Sequence, residues 1–335
     1  MRTYLHGNDG VGWSIDSDRK HTEAFLRDIG IEITSNIIRA DVLHSVWWNQ
    51  LLDGRNLLLR LKRNIIATAT NQIDIKSANY LQAKRFVSLW IAASRRQFEM
   101  LEKDGVKVAY QPFYVDEKTF CPSSVGKAEI CARLGMDFNR IKDKFVISSF
   151  QRDTLGTDLI SPKWQKGPDR LVNILSSLPS RDKWILLLAG PRRHYVVNEC
   201  RKRGIPYFCY GGDPVPGTDD IISGNIPAKD MALLYNLTDC YLVASNSEGG
   251  PKAVLEAAWS KTPVLSTDVG LAPDILNEYS IYADDLCAIR RISDILKNQD
   301  LSLVRNSVAA NHGTVSKVVS YPAMISRWRE IYGQM

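Results

Sequence analysis

The alternation of apolar and polar positions divides the chain into two kinds of segment. Short continuous apolar runs are typical of buried strands, and stretches with an apolar residue at every third or fourth position are typical of helices. Their regular alternation predicts parallel sheets covered by helices, an α/β fold. In the first part of the chain the predicted strands are 2–6, 41–46, 64–70, 87–93 and 106–110, and the predicted helices are 18–29, 49–63 and 94–104.

A break in this pattern between Gln111 and Ser124 precedes a second series of elements. A predicted helix at 125–135 leads into it. The predicted strands are then 145–148, 184–189, 206–210, 219–222, 239–244 and 263–266, and the predicted helices are 168–178, 192–203, 228–236 and 251–260. We therefore expect two α/β domains, 1–140 and 145–318, with a C-terminal helix within 319–335 that crosses back onto the first.

The composition suits a packed protein of this organisation. A chain of 335 residues is long enough for two domains, and 44% hydrophobic and 24% charged residues are ordinary values for globular proteins. The N-terminus lacks the basic and apolar regions of an export signal, and the longest apolar runs, such as 184–189, are too short to span a bilayer. The six cysteines include no Cys-x-x-Cys pair, so we predict reduced thiols in the cytoplasm.

The formal net charge of +6 is concentrated before residue 146. An excess of positive charge there suits an acidic partner of the first domain, such as a phosphorylated acceptor or an anionic membrane surface. Nucleic acid would be attracted by the same charge, although nothing else in the sequence indicates it.

One stretch has the features of an anion-binding turn. An apolar strand ends in small polar residues, Gly249 and Gly250 follow, and Pro251 opens a helix where its missing N–H group costs nothing. The N–H groups of Lys252 and Ala253 lie at the positive end of the helix dipole, which favours a pyrophosphate. The glycines leave room for a ligand beside the backbone, and the lysine adds charge.

Two glutamates frame this turn. Glu248 precedes the glycines and is expected to accept hydrogen bonds from sugar hydroxyls, while Glu256, more than one turn into the helix, is expected to reach ribose hydroxyls. Taken alone, such a pair is more often a solvated loop residue and a helix surface charge. The position of Glu248 at a strand end, before a helix that begins with proline, favours the ligand-binding interpretation.

The spacing of Glu248 and Glu256, with seven residues between them, resembles the paired-glutamate motif of family 4 glycosyltransferases. Similar segments are 90–94, 112–120, 166–169 and 261–270. The resemblance covers most of the chain beyond residue 85. It implies the GT-B fold, with two facing Rossmann-like domains and a deep interdomain cleft, in which the second domain binds a nucleotide sugar and the first binds the acceptor.

The family holds the donor pyrophosphate with an arginine and a lysine at the start of the second domain. The resemblance places these roles at Arg152 and Lys166. Family members keep the two residues close in sequence, whereas residues 153–165 are inserted between them here. The geometry of the pair therefore stays open at this point, and either cation alone could be an ordinary surface charge.

A glycine-rich segment, 7–13, follows the first predicted strand. Gly10 and Gly12 lie in it, and it resembles the family loop that approaches the donor phosphates from the first domain. The family often has a histidine near the reacting sugar, but the equivalent position here is Asn71. His44 follows an earlier strand, and the sequence assigns it either to the site or to the core.

No metal requirement is predicted. Asp16 and Asp18 have the Asp-x-Asp spacing of metal-dependent glycosyltransferases, but Ser17 or Asp18 is better explained as the N-cap of a following helix. No histidine or cysteine cluster has zinc spacing. We expect no cofactor besides the nucleotide-sugar substrate.

Segment 47–63 allows two interpretations, a basic amphipathic surface that rests on a membrane or a core helix with one solvated side. Its apolar residues are Trp47, Trp48, Leu51, Leu52, Leu57, Leu58, Leu59 and Leu61, and its basic residues are Arg55, Arg60, Lys62 and Arg63.

The resemblance implies a retaining glycosyltransferase that uses a UDP- or GDP-sugar and a glycan or lipid-linked acceptor, in polysaccharide or lipopolysaccharide assembly. We expect a cytoplasmic protein, with peripheral membrane contact as an option and no nucleic-acid partner. The alternatives are a nucleotide-sugar epimerase of the same fold and a non-catalytic nucleotide-sugar-binding or scaffold protein.

Overall fold

The computed structural model describes residues 1–10, 12, 14–53, 59–297 and 301–335. They form two compact units. The first comprises Met1–Tyr114, Glu248–Pro251 and Lys317–Met335, and the second comprises Val115–Ser247 and Lys252–Ser316. None of the described helices is long and apolar enough to cross a membrane.

Strands and helices alternate along nearly the whole described chain. The strands are β1 Arg2–His6, β2 Glu32–Ile33, β3 Val42–Ser45, β4 Ile65–Ala69, β5 Leu89–Ala92, β6 Val108–Tyr110, β7 Phe145–Ser149, β8 Trp184–Leu188, β9 Tyr207–Cys209, β10 Cys240–Val243 and β11 Val264–Ser266. The helices are α1 Ser14–Asp28, α2 Ala78–Ala83, α3 Arg95–Lys103, α4 Lys127–Arg133, α5 Pro168–Ser176, α6 His194–Arg203, α7 Ala228–Leu237, α8 Lys252–Trp259, α9 Ala272–Ile275, α10 Asp285–Leu296, α11 Ser302–Val318 and α12 Tyr321–Gly333.

The first unit is built on a parallel sheet of order β2-β1-β3-β4-β5-β6. Its central strands are buried on both faces, as their continuous apolar sequences require. Trp48, Tyr80 and Trp90 pack together on one face. Ser77 and Ser94 begin α2 and α3 by accepting hydrogen bonds from backbone N–H groups of the first turn.

The second unit is built on a parallel sheet of order β11-β10-β7-β8-β9. All five residues of β8 are buried, as a central parallel strand requires. Helix α5 begins at Pro168 and covers one face together with α6 and α10. Helices α4 and α7 pack together beside the other face.

Residues 115–144 belong to the second unit, although the sequence analysis places most of them in the first domain. The apolar side of α4 packs in the second unit: Ile130 and Cys131 belong to the same cluster as Leu187 of β8 and Leu234 of α7. Helix α12 belongs to the first unit, where it packs against α1.

Three predicted elements differ from the structure. Predicted helix 49–63 is instead a short 3-10 helix, Trp48–Leu52, whose Trp48 and Leu51 are buried, so tertiary packing overrides the local pattern. Residues 54–58 of that prediction, which include Arg55, Leu57 and Leu58, lie outside the described residues. Predicted strand 219–222 is not a strand: residues 221–222 lie in a turn, and the side chains of Asp219 and Asp220 accept hydrogen bonds from Arg192.

The third difference concerns α1, which begins at Ser14. Ser17 and Asp18 therefore lie inside the helix, and the prediction that one of them is its N-cap is wrong. Asp9 instead accepts hydrogen bonds from the N–H groups of Ile15 and Asp16, in the first turn. Five short or weakly patterned elements were not predicted, namely β2, α2, α9, α10 and α11.

Candidate functional site

The site of interest in the second unit lies where β7 and β10 end. The two strands are parallel neighbours, so their carboxyl ends meet at one edge of the sheet. The residues that follow them are bonded together, since the Ser245 hydroxyl donates to Gln151 Oε1 at 3.1 Å. Arg152 lies three residues after the end of β7, and the helix α8 follows β10 after a short connection.

Residues 153–165 leave this edge and return to it as a closed excursion. The N–H group of Lys163 donates to the carbonyl of Asp153 at 2.7 Å, which joins the two ends. Because the excursion closes on itself, Arg152 and Lys166 line the same small cavity. The insertion therefore does not separate the two cations that the sequence analysis assigned to the pyrophosphate.

Asp153 anchors the base of the excursion. Its carboxylate accepts hydrogen bonds from the N–H groups of Tyr195 and Val196, at 3.2 and 3.1 Å, in the first turn of α6. It also lies 3.8 Å from the Arg193 guanidinium, and both side chains are almost fully buried. Burial raises the pKa of Asp153 to about 6, and the positive charge of Arg193 opposes that rise.

The returning limb of the excursion is bonded to the segment after β10. The Asn246 side chain donates to the carbonyl of Trp164 at 2.7 Å, and the Asn246 N–H group donates to Gln165 at 3.0 Å. Gly167 then turns the chain into α5 with a left-handed φ of 55°. A Cβ atom there would lie 2.1 Å from the carbonyl oxygen of Ala244, so only glycine fits.

Helix α8 carries Glu256 into a half-buried position. The Tyr235 hydroxyl donates to one Glu256 carboxylate oxygen at 2.8 Å. Burial raises the pKa of Glu256, while the bond from Tyr235 and the charge of Lys252 oppose the rise. Tyr235 was not singled out from the sequence, because no local pattern shows that α7 and α8 bring these two residues together.

Residues 248–251, which hold Glu248 and both turn glycines, group with the first unit. A Cβ atom on Gly249 would lie 2.5 Å from the carbonyl oxygen of Thr70 and 2.7 Å from Cα of Asn71. Glycine is thus required at this position by close backbone packing. That requirement is distinct from the approach of a ligand, which was the reason inferred from the sequence.

The glycine loop of the first unit is held by two aspartates. Asp16 accepts hydrogen bonds from the N–H groups of Asp9 and Gly12, and Asp9 accepts in return from the start of α1. Gly10 and Gly12 have φ values of 72° and 76°, which favour glycine. Val11 and Trp13 of the predicted loop lie outside the described residues.

His44 is a core residue. Its ring nitrogens lie 3.0 Å from the hydroxyls of Tyr332 and Thr68, and its side chain is fully buried. Burial lowers the pKa of His44 to about 3, so the ring is neutral at physiological pH. Of the two assignments that the sequence allows for His44, the core is therefore the one that the structure shows.

Asn71, at the position where the family often has histidine, is held from two sides. Its side-chain oxygen accepts a hydrogen bond from the Trp48 indole at 2.9 Å, and its carbonyl accepts one from the Gln97 side chain at 2.8 Å. Trp48 and Gln97 are buried, so the conformation of Asn71 is fixed by the core.

A large cavity shares one lining residue, Arg193, with the small cavity that Arg152 and Lys166 line. It has a volume of about 980 Å³ and lies beside β9, with residues 207–215 and 223–227 in its wall. Among the described residues, no group of three or more His, Cys, Asp or Glu side chains could hold a metal ion.

Known proteins share both the fold and part of the sequence. Residues 161–303 match the family model of group 1 glycosyl transferases. The structure superposes on Anabaena HepE in complex with UDP and glucose with a TM-score of 0.72 at 13% identity, over 100% of both chains. It superposes on sucrose-phosphate synthase from Thermosynechococcus elongatus with a TM-score of 0.67 at 16% identity, over 98% and 80% of the two chains.

A curated relative is also similar over a limited region. The GPI3 subunit of phosphatidylinositol N-acetylglucosaminyltransferase from Saccharomyces cerevisiae is 28% identical over 115 residues, which are 32% of this chain. The match spans only 25% of the length of that relative.

Together, the two parallel sheets and these superpositions define a protein of the GT-B fold. Residues 161–303 are similar to group 1 glycosyl transferases. The superpositions confirm the GT-B fold that the sequence predicts.

Proposed function

We propose that this protein is a retaining glycosyltransferase of family 4 that transfers a sugar from a nucleoside diphosphate sugar to a hydroxyl group. The observation that carries the proposal is the shared cavity of Arg152 and Lys166. Two cations brought together at the carboxyl edge of a parallel sheet are suited to a pyrophosphate, which would bind on their exposed side because the cavity between them holds only about 10 Å³. The residue roles below are parts of the same proposal.

The chemical demand of the reaction is stabilisation of the negative charge that develops on the leaving nucleoside diphosphate. Arg152 and Lys166 supply fixed positive charge, and the first turn of α8 at Lys252 and Ala253 supplies N–H groups. Fixed charges of this kind need no reorganisation during the reaction. We assign no metal and no cofactor to this role, because these residues already supply cationic and N–H donors.

No protein side chain is assigned as the general base. A phosphate oxygen of the leaving group can accept the proton of the acceptor hydroxyl as the new glycosidic bond forms and the bond to the phosphate breaks. Transfer on the same face of the sugar ring then retains the anomeric configuration. Glu248 is assigned to the hydroxyls of the donor sugar, with Gly10, Gly12, Gly249 and Gly250 as donor-binding positions.

The nucleoside is assigned to the large cavity beside β9. Arg193 lines both that cavity and the one lined by Arg152 and Lys166, which supports the assignment of a base there and a pyrophosphate at the cations to one ligand. Glu256 is assigned to the ribose hydroxyls, with Tyr235 holding one of its carboxylate oxygens. UDP is the first candidate, since HepE has been crystallised with it, and GDP is the second.

For the acceptor we propose a glycan or lipid-linked hydroxyl compound, in polysaccharide or lipopolysaccharide assembly. The similarity to a phosphatidylinositol glycosyltransferase subunit supports a lipid-linked acceptor. We place the protein in the cytoplasm, with peripheral contact at the inner face of the membrane. Ile38 and Leu61 are 84% and 78% exposed, and Lys62 bonds to the carbonyl of Ile38, which gives a basic and apolar patch.

The donor site is tested by thermal unfolding of the full chain with UDP, GDP and ADP. One nucleotide should raise the midpoint of the wild type, with the rise lost in Arg152→Ala and Lys166→Ala. The matched control is Lys297→Ala, which removes an exposed cation at the end of α10 and should keep the rise. Equal rises in all four proteins would contradict the assignment of the two cations, and no rise with any nucleotide would favour the scaffold alternative.

A further inference from the structure

A separate cavity of about 660 Å³ opens at the carboxyl edge of β10 and β11. Strand β10 lies between β11 and β7, so this cavity is on the other side of β10 from the strand that precedes Arg152. Its walls come from residues 245–246 after β10, residues 267–269 after β11, and residues 276–283. The last segment runs beside β11, where Ile281 pairs with Ser266.

The polar groups of this cavity include both donors and acceptors. Arg170 and the Asn246 amide supply N–H groups, while Asp268 and Glu278 supply exposed carboxylates. Arg170 is paired with Asp285, and the two carboxylates of the lining outnumber its one cation. Such a lining suits hydroxyl or amine donors on a ligand and repels phosphate.

Apolar surface accompanies these polar groups. Val269, Leu276 and Tyr282 line the cavity, and the Tyr282 ring is held by a hydrogen bond to Val243 and by the Arg170 guanidinium 5.3 Å from its centroid. A fixed apolar wall with a few polar groups is the usual composition of a small-ligand site. Sugar rings combine C–H faces with hydroxyl edges and match both parts.

Trp164 is an exposed aromatic residue whose backbone is bonded to the wall of this cavity. Its carbonyl accepts the hydrogen bond of Asn246, which lines the cavity, and its side chain is 64% exposed. A large ring on a backbone fixed by hydrogen bonds loses little entropy when a ligand packs against it. Sugar C–H groups pack well on the negatively charged face of such a ring.

We propose that this cavity, together with Trp164, is a binding site for an uncharged sugar or amino sugar of the acceptor. The assignment to the acceptor rests on the proposed glycosyl transfer, whereas the binding itself does not. The nucleotide part of the donor is excluded by charge, because Asp268 and Glu278 would face its phosphates. The second unit would then contribute to acceptor specificity, in addition to the first unit implied by the family resemblance.

The test measures binding of three sugars to the full chain by saturation-transfer NMR. The probes are methyl α-D-glucopyranoside, methyl α-D-glucosaminide and glucose 6-phosphate. We expect the first two to bind the wild type and glucose 6-phosphate to bind at least five-fold more weakly. Asp268→Asn, Glu278→Gln and Trp164→Ala should each weaken binding of the uncharged sugar by five-fold or more.

Two matched variants control for surface changes. Ile160→Ala removes an exposed apolar side chain from the same excursion, and Glu102→Gln neutralises an exposed carboxylate on α3. Both should bind the sugars as the wild type does. Absence of sugar binding by the wild type, equal or tighter binding of glucose 6-phosphate, or unchanged binding in all three cavity variants would overturn the proposal.

A parallel titration with UDP separates this inference from the proposed function. A wild type that binds UDP but none of the sugars would refute the sugar site and leave the donor site standing. A wild type that binds the sugars but not UDP would refute the donor site alone. The three cavity variants should bind UDP with the affinity of the wild type. A loss of UDP binding in them would show that the two sites are not separate, which would contradict the proposal.

Discussion

Arg152 and Lys166 line one cavity although residues 153–165 lie between them in the sequence. The intervening chain closes on itself through the bond between Lys163 and Asp153, and Asp153 is fixed in turn by the first turn of α6. The insertion is therefore a closed addition at the edge of the sheet, and it leaves the two cations on one cavity.

The turn at Gly167 should tolerate no side chain. Gly167→Ala places Cβ against the carbonyl oxygen of Ala244 and also forces a left-handed φ on alanine. We expect the free energy of unfolding to fall by roughly 4 kcal/mol, measured by urea denaturation. Gly204→Ala is the control, because its φ of 62° is similar but its nearest neighbour is a flexible arginine side chain at 3.6 Å. The control should lose only about 1–2 kcal/mol, and equal losses would contradict the steric argument.

Asp153 should make the protein less stable as the pH rises from about 4 to 6. Its pKa is raised to about 6 in the folded state, so over this range the folded protein holds a proton that the unfolded chain has released. The group thus favours folding at low pH, and that contribution disappears above pH 6. The free energy of unfolding of the wild type minus that of Asp153→Asn should be about 2–3 kcal/mol larger at pH 4 than at pH 7. A difference that grows with pH would contradict this.

His44 should have the opposite effect in the first unit. Its pKa is lowered to about 3, so between pH 3 and 6.5 the unfolded chain binds a proton that the folded protein does not. Stability therefore falls as the pH drops below 6.5. The wild type should lose up to about 3 kcal/mol more than His44→Gln between pH 7 and pH 4, measured by denaturant unfolding. An NMR titration that shows His44 protonating near pH 6 would refute the burial argument.

Tyr235 should influence recognition of the ribose through Glu256. Tyr235→Phe removes the hydrogen bond to the carboxylate, a bond to a charged group that contributes about 1.5–3 kcal/mol. We expect the affinity for UDP to fall about tenfold, with a smaller preference for UDP over 2′-deoxy-UDP, both measured by calorimetry. Tyr80→Phe, which removes a hydroxyl bonded to Asp104 in the first unit, is the matched control and should bind UDP normally. Unchanged discrimination in Tyr235→Phe would argue against the ribose assignment.

The central strands could be predicted from the sequence because their apolar runs are long and buried on both faces. The helix at 251–260 could be predicted from Pro251. The roles of Arg152 and Lys166 could be predicted from the family resemblance. The closing of the excursion could not be predicted, since it depends on contacts of Asp153 with α6. The contact between Tyr235 and Glu256 could not be predicted either, because it forms only when two helices pack. In segment 47–63 the burial of Trp48 and Leu51 overrides a helical pattern.

The proposed transfer of a sugar from a nucleoside diphosphate with retention of configuration can be tested in one reaction. Proton NMR would follow UDP-glucose with the full chain and with water as the acceptor. We expect UDP to be released and α-glucose to appear before mutarotation, and we expect Arg152→Ala and Lys166→Ala to abolish release while Lys297→Ala does not. Initial formation of β-glucose, or release that is unaffected by loss of either cation, would contradict it.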